Sequence, residues 1–409
     1  MCYLGSAPTP NSPGIGRLNS FNWLITRDFL ELWQPGVFFT KTHKYQQGRS
    51  TKGMIVPLTA DMLAARAVSG FTSHNSIYFC IGCHIHMANI EDFDSAHWPR
   101  RNHAEHLEQA YAWKNATTLS EQKKLAKKTG IRYTPFLELP YWEAVRYVLV
   151  EAMHALDLRM IDHHIRKLFQ MDLERIGGDA SEPRVRRPRR VSQERITNVL
   201  QLFITHQGDP DLVDKIRKND WASFPTLWHI CNDLDLRIAG TRRDWAEAIA
   251  ADVMQFVWDL MHKTILPSWI GAAPKNWGTK KRGKLSAEHS RTIFTIHLPI
   301  ALIWLWRNET GRKRELLDNM MYMVMAIHAA NFKSTNSSIS DIYDHCILQY
   351  MRGVGQLFKE DDITPSQHSA LHIGENLREF GPQHSRGAQF YERYIHYLQE
   401  QNTNMKYGQ

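Results

Sequence analysis

Two short runs of metal-ligand residues constrain this chain more than any other feature: Cys80-Ile81-Gly82-Cys83 near the start and His368-Ser369-Ala370-Leu371-His372 near the end. Two thiolates and two imidazoles make a complete tetrahedral Zn²⁺ set, with no position left open for catalysis. If one ion takes all four, the fold must close a loop of nearly three hundred residues. That closure is tolerable, because its entropic cost grows only with the logarithm of loop length. Two-residue spacing lets both thiolates point at one ion. Four-residue spacing places His368 and His372 on one face of a helix. Two other readings stay open at this level: a pair of ordinary buried thiols, or a local knuckle that recruits His84, His86 or His97. The chain carries 21 His, so pairs such as His103/His106 and His163/His164 also arise by chance.

Each half of this clasp has an acid nearby. Asp61 lies nineteen positions before Cys80, and Glu392 lies twenty after His372. Carboxylates suit Mg²⁺ or Mn²⁺, which keep open positions for substrate phosphate. Two such ions about 4 Å apart activate a water or a 3′-hydroxyl and stabilise the leaving oxygen of an in-line displacement. A clasp that gathers two distant carboxylates therefore outlines a metal-dependent phosphoryl-transfer site. Read singly, each is one surface acid among 42.

The remaining sequence bounds the class. With 409 residues, 43% hydrophobic and 22% charged, the chain reads as a folded protein of two or three domains. Thirteen Trp point to a large aromatic core. A net charge of +8 suits a nucleic-acid partner. Five Cys, an odd number with one close pair, fit a reducing compartment, cytosol or nucleus. The first twenty residues lack an apolar core segment, so no secretory signal is read. The longest apolar run, Thr292 to Trp306, holds His297 and Pro299 and is too short to span a bilayer, so it reads as a buried helix and no membrane partner is expected.

Helical periodicity runs from Leu18 to Trp33 and ends at Pro35-Gly36. Gly53 to Leu58 is short, apolar and partly β-branched, which predicts a buried strand delivering Asp61 at its end. A helix follows at Met62–Val68. Glu105 to Asp172 reads as helical with a turn near Gly130–Pro135, and Ile196 to Tyr350 as mostly helical. Between them a Gly/Pro-rich break leads into Arg184, Arg186, Arg187, Arg189 and Arg190, the clearest linker in the chain, at 177–195. A second basic loop holds Lys280, Lys281 and Arg282. Both runs suit phosphate contacts or nuclear import, and equally suit solvated loops. Met320 to Met325 reads as core packing, and His154 as a core or capping histidine. The last segments read as one helix over Gln367–Phe380 and another from Phe390, with Phe390, Tyr394, Tyr397 and Leu398 on one face.

Several longer stretches resemble the transposases of CACTA (En/Spm-type) DNA transposons, fungal versions in particular, across nearly the whole chain. They include Leu30–Val37, Asp61–Phe71 running on to Phe79–Cys83, Leu139–Trp142, Glu151–His154 and His372–Leu377. Most specific are Gly381-Pro382-Gln383-His384-Ser385-Arg386 and Phe390-Tyr391-Glu392-Arg393-Tyr394, followed by Asn402–Lys406. The resemblance implies a mainly α chain with a small α/β part: a partial ribonuclease-H-like (DDE) core interrupted by a large helical insertion and held by a zinc clasp. It implies partial core over 1–75, zinc segment over 76–104, helical insertion over 105–360, and His-pair and catalytic-Glu helices over 361–409. Asp61 maps onto the second acid of the triad and Glu392 onto the last. Cys80, Cys83, His368 and His372 look like the clasp shared with the V(D)J recombinase type of core.

Further expectations from the resemblance are DNA strand cleavage and transfer, transposon-end DNA as partner, a homo-oligomer or full-length transposase as protein partner, and a nuclear setting. The family's first catalytic Asp sits on a strand upstream of Met1, and Asp28 lies instead in an amphipathic helix. Little activity is therefore expected of this polypeptide alone. The rival expectation is a non-enzymatic module that binds DNA or a partner through its basic loops.

Overall fold

Short polar side chains set where most helices begin. Asp61 caps α2 (Met62–Ser69) through bonds from the Leu63 and Ala64 N–H groups to its Oδ1, at 2.8 and 3.0 Å. Asn102 and Thr118 do the same for α3 (His103–Asn115) and α4 (Leu119–Thr129). Each cap satisfies a backbone donor that the helix cannot. Before them, α1 (Ile15–Trp33) ends one residue before Pro35, as its periodicity predicts, and leads into a hairpin of β1 (Val37–Phe39) and β2 (Arg49–Thr51).

The computed structural model describes residues 14–169, 192–205, 256–275, 277, 285–358 and 361–399. The architecture is mainly helical, and the β1–β2 hairpin is the one sheet among the described residues. The chain divides into two compact units, one of residues 1–160 with 322–409 and one of residues 161–321. The second unit includes the helices Gln193–Thr205, Ala287–Thr292 and Leu298–Trp306. Within the apolar run there, Phe294, Leu298 and Leu302 are fully buried, while Ile300, Ile303 and Trp304 are exposed, so only one side of it packs. No described helix is long and apolar enough to cross a membrane. In the Met-rich stretch, Met320 and Met323 are buried as core packing requires, and Met325 is exposed.

The first unit holds the site residues. Its core gathers Phe71, Ile131, Phe136, Leu139, Trp142 and Val148 around α1, α2 and α3. After α4 the chain follows an irregular course to α5 (Met153–Met160), which winds with the wider π pitch. The sequence predicts continuous helix through much of this region, but only short turns form between Ile131 and Ala152. The closing helices are α6 (Ser337–Leu357), α7 (Pro365–Ala370), α8 (Ile373–Phe380) and α9 (Gln389–Gln399). A capping box between Thr364 and Gln367 starts α7. Close packing of α8 on α6 depends on Gly374, where a Cβ would sit 1.8 Å from Asp344 Oδ1.

Two sequence expectations change here. The strand expected over Gly53–Leu58 is extended chain that pairs only at its end, where Leu58 makes a parallel bridge with Val148. Pro57 has no N–H to add to a ladder, so the pairing reduces to Leu58 N–H to the Tyr147 carbonyl at 2.8 Å and Leu149 N–H to the Leu58 carbonyl at 3.0 Å. The single helix expected over Gln367–Phe380 is two, broken at Leu371-His372. The linker at 177–195 falls outside the described residues up to 191.

Buried in the same core, His106 is 2% exposed, stacks on Phe71 at 5.1 Å, and has no hydrogen-bond partner for either ring nitrogen. Burial, with the Arg101 charge, depresses its pKa to about 3. Below the ordinary histidine pKa of about 6.5 the unfolded chain takes a proton that the folded one refuses, so stability falls as pH drops from there, by at most about 1.4 kcal/mol per pH unit. His106→Leu is expected to flatten this part of the curve, as read by urea midpoints between pH 7 and pH 4.

Candidate metal centre and its neighbouring acid cluster

Cys80, Cys83, His368 and His372 come together, with one ligand atom from each all within 4.8 Å of one another. Cys80 Sγ lies 3.2 Å from His372 Nε2, and Cys83 Sγ lies 3.3 Å from His368 Nε2. A tetrahedral zinc with bonds of about 2.3 Å to sulfur and about 2.0 Å to nitrogen would set these separations near 3.5 Å. The four are therefore positioned to hold one metal ion, and two soft thiolates with two imidazoles are the donor set of structural zinc. All four are buried, the most exposed being His372 at 5%. Phe79 and Trp98 wall the cluster, with ring centres 5.0 and 4.7 Å from that of His368. His368 Nδ1 has no partner.

The helix break after α7 decides the geometry of the second pair. His368 and His372 do not share a helix face, as their spacing suggests; His368 lies in α7 and His372 precedes α8. The two Nε2 atoms face different cysteines, His368 toward Cys83 and His372 toward Cys80. Gly82 permits the approach: a Cβ there would meet His372 Nδ1 at 3.0 Å and Cε1 at 3.1 Å. The local-knuckle alternative does not form. His84 packs against Tyr78, the His86 side chain caps a short turn at Met87–Asn89, and His97 pairs with Asp94 at 2.6 Å.

Outer contacts orient the ligands. His372 Nδ1 lies 3.5 Å from Glu375 Oε2, and Arg100 clamps Glu375 with both guanidinium arms. Such a carboxylate holds the imidazole so that its other nitrogen faces the metal. Arg101 Nε donates to the Cys80 carbonyl at 2.8 Å. Burial raises the Cys80 thiol, but the Cys83 hydrogen bond and the His372 charge outweigh it and leave Cys80 well below the ordinary thiol range. Cys83 is pushed far up, first by its bond to Cys80 and then by burial. Burial lowers His372, yet the Cys80 and Glu375 charges raise it to about 9. A bound cation would take over the charge balance that these protons now supply.

Glu392, one of the two expected acids, pairs with a residue that the sequence leaves as an ordinary core or capping histidine. His154 Nε2 lies 2.6 Å from Glu392 Oε1, and its Nδ1 lies 2.7 Å from Glu151 Oε2. Asp61 acts on the same imidazole through its charge. Burial pushes His154 down, but the Glu151 bond and the three acids' charges raise it above the ordinary histidine value. Burial likewise raises Glu151, and its bonds from the His154 side chain and backbone outweigh that, holding it below the usual carboxylate range. The parallel Leu58–Val148 bridge explains the Asp61 charge at this imidazole: each chain runs three residues further in the same direction, to Asp61 and to Glu151. A Glu-x-x-His pair at the end of an apolar stretch is the signal that could have singled out Glu151 and His154.

Among the described residues no second group of three metal-ligand side chains accompanies the Cys/His tetrad. Arg184, Arg186, Arg187, Arg189, Arg190, Lys280, Lys281 and Arg282 lie outside the described residues. The chain matches no known protein-family model and no curated protein.

Purified protein is expected to carry one zinc per chain by elemental analysis. Both Cys80→Ser/Cys83→Ser and His368→Ala/His372→Ala should lose it, and Glu375→Gln should weaken zinc affinity by about 10- to 100-fold in chelator competition. Gly82→Ala should also weaken it, because the added methyl presses on a ligating ring.

Proposed function

We propose that this chain is a transposase-derived protein of the CACTA (En/Spm) kind, related to DDE DNA transposition. On this reading the first unit corresponds to part of a ribonuclease-H-like core, and residues 161–321 belong to its helical insertion. The observation that carries it is the tetrad. Two pairs nearly three hundred residues apart converge on one metal position, Glu392 pairs with His154, and the parallel Leu58–Val148 bridge runs the chain toward Asp61 and toward Glu151 alike. Structural Zn²⁺ would hold the tetrad, through two thiolates and two imidazoles. Asp61 and Glu392 would hold Mg²⁺ or Mn²⁺, the ion supplying charge stabilisation to a phosphodiester in displacement. Transposon-end DNA would be the partner, with the basic loops supplying phosphate contacts, alongside a homo-oligomer or full-length transposase, in the nucleus.

One observation favours the rival reading, a DNA- or partner-binding module without catalysis. Asp61 Oδ1 is engaged as a helix cap, and Glu392 is paired with His154, as purely structural acids would be.

Titration with Mn²⁺ and DNA separates the two. The catalytic reading expects Mn²⁺ binding that Asp61→Asn and Glu392→Gln each weaken at least tenfold, and metal-dependent nicking of plasmid DNA, if the chain supports it, that Glu392→Gln abolishes. Retention of DNA that falls when Arg184–Arg190 are neutralised, with no effect of Glu392→Gln on any measurement, would instead establish the binding module.

A further inference from the structure

We propose that Glu151 and His154 are positioning residues for Glu392: they latch the first turn of α9 to the chain leaving the Leu58–Val148 bridge, and so hold Glu392 in the neighbourhood of Asp61. The functional half of this inference rests on the metal-dependent reading above; the latch itself rests on contacts.

The described apolar side chains in the first turns of α9 are largely exposed. Phe390, Tyr391, Ile395 and Tyr397 are each 50% exposed or more. Polar bonds to residues 150–154 hold the segment instead. Val150 N–H donates to Asn376 Oδ1 at 3.0 Å, and Gln383 Nε2 donates to the Val150 carbonyl at 3.3 Å. Glu151 Oε1 accepts the Ala388 N–H at 3.3 Å, directly before α9. Its other oxygen accepts the His154 backbone N–H at 2.8 Å and contacts the His154 ring. The far side of that ring then meets Glu392.

Burial assigns the roles. Glu151 is 1% exposed, too enclosed to meet a substrate, and acts through its neighbours. His154 is largely covered, while Glu392 is 44% exposed at its side chain. A buried carboxylate that fixes an imidazole, which in turn fixes an exposed carboxylate, is an orienting relay. Asn376 and Gln383 follow His372 closely, so the tetrad and the latch lie on one short stretch of chain.

The test uses the full zinc-bound chain and the variants His154→Ala and Glu151→Gln, each first checked for one zinc per chain so that misfolded material is set aside. Hydrogen exchange over Gln389–Gln399 and tryptic cleavage after Arg393 should accelerate at least tenfold in both variants, with α6 and α8 unchanged. Mn²⁺ affinity should fall at least tenfold in both, although neither residue is assigned to the ion. Unchanged exchange in α9 overturns the latch. Faster exchange with intact Mn²⁺ affinity overturns the positioning role and leaves a structural contact. A wild-type chain that binds no Mn²⁺ overturns the metal-dependent reading, and the exchange rates still decide the latch.

Discussion

Convergence of Cys80 and Cys83 on His368 and His372 is the contact on which the rest of the first unit depends. Four ligand donors are taken out of water behind Phe79 and Trp98, and burying such groups is unfavourable unless they are paired. A divalent cation pairs them, which is why metal binding and folding are coupled in sites of this type.

The same contact fixes where the end of the chain can go. His372 leads directly into α8, whose Asn376 bonds Val150, and the turn after α8 returns Gln383 to the same residue. From there Glu151 and His154 reach α9. On the other side, one parallel bridge ties Val148 to Leu58 and hence to Asp61. Glu151 and Glu392, 241 positions apart, thus meet at one imidazole through a sequence of short local bonds, each ordinary by itself.

Some of this was legible in the residues. The helices expected at Leu18–Trp33 and Met62–Val68 were legible because apolar periodicity and an Ala/Leu-rich run are local signals. The tetrad was legible too, because metal coordination restricts ligand type and number so severely. The strand at Gly53–Leu58 was misread because β-branched composition does not reveal whether a partner strand lies alongside, and Pro57 limits any ladder. The helix over Gln367–Phe380 was misread because periodicity is continuous through His372, while the bend serves the site. His154 reads as a core or capping histidine because the Glu-x-x-His spacing that marks it and Glu151 is common on helices and does not reveal that Glu392 lies alongside.

By itself, then, the sequence determined the ligand set, the helices around Leu18–Trp33 and Met62–Val68, and which acids were worth following, since these depend on residue type and near neighbours. Only the tertiary structure decided that the two metal-ligand pairs close on each other, that the helix is interrupted between the histidines, and that His154 stands between Glu151 and Glu392. The physical reason is the range of the interactions. Caps and metal-ligand chemistry act over a few residues, whereas desolvation and charge pairing depend on what the fold brings within a few ångströms.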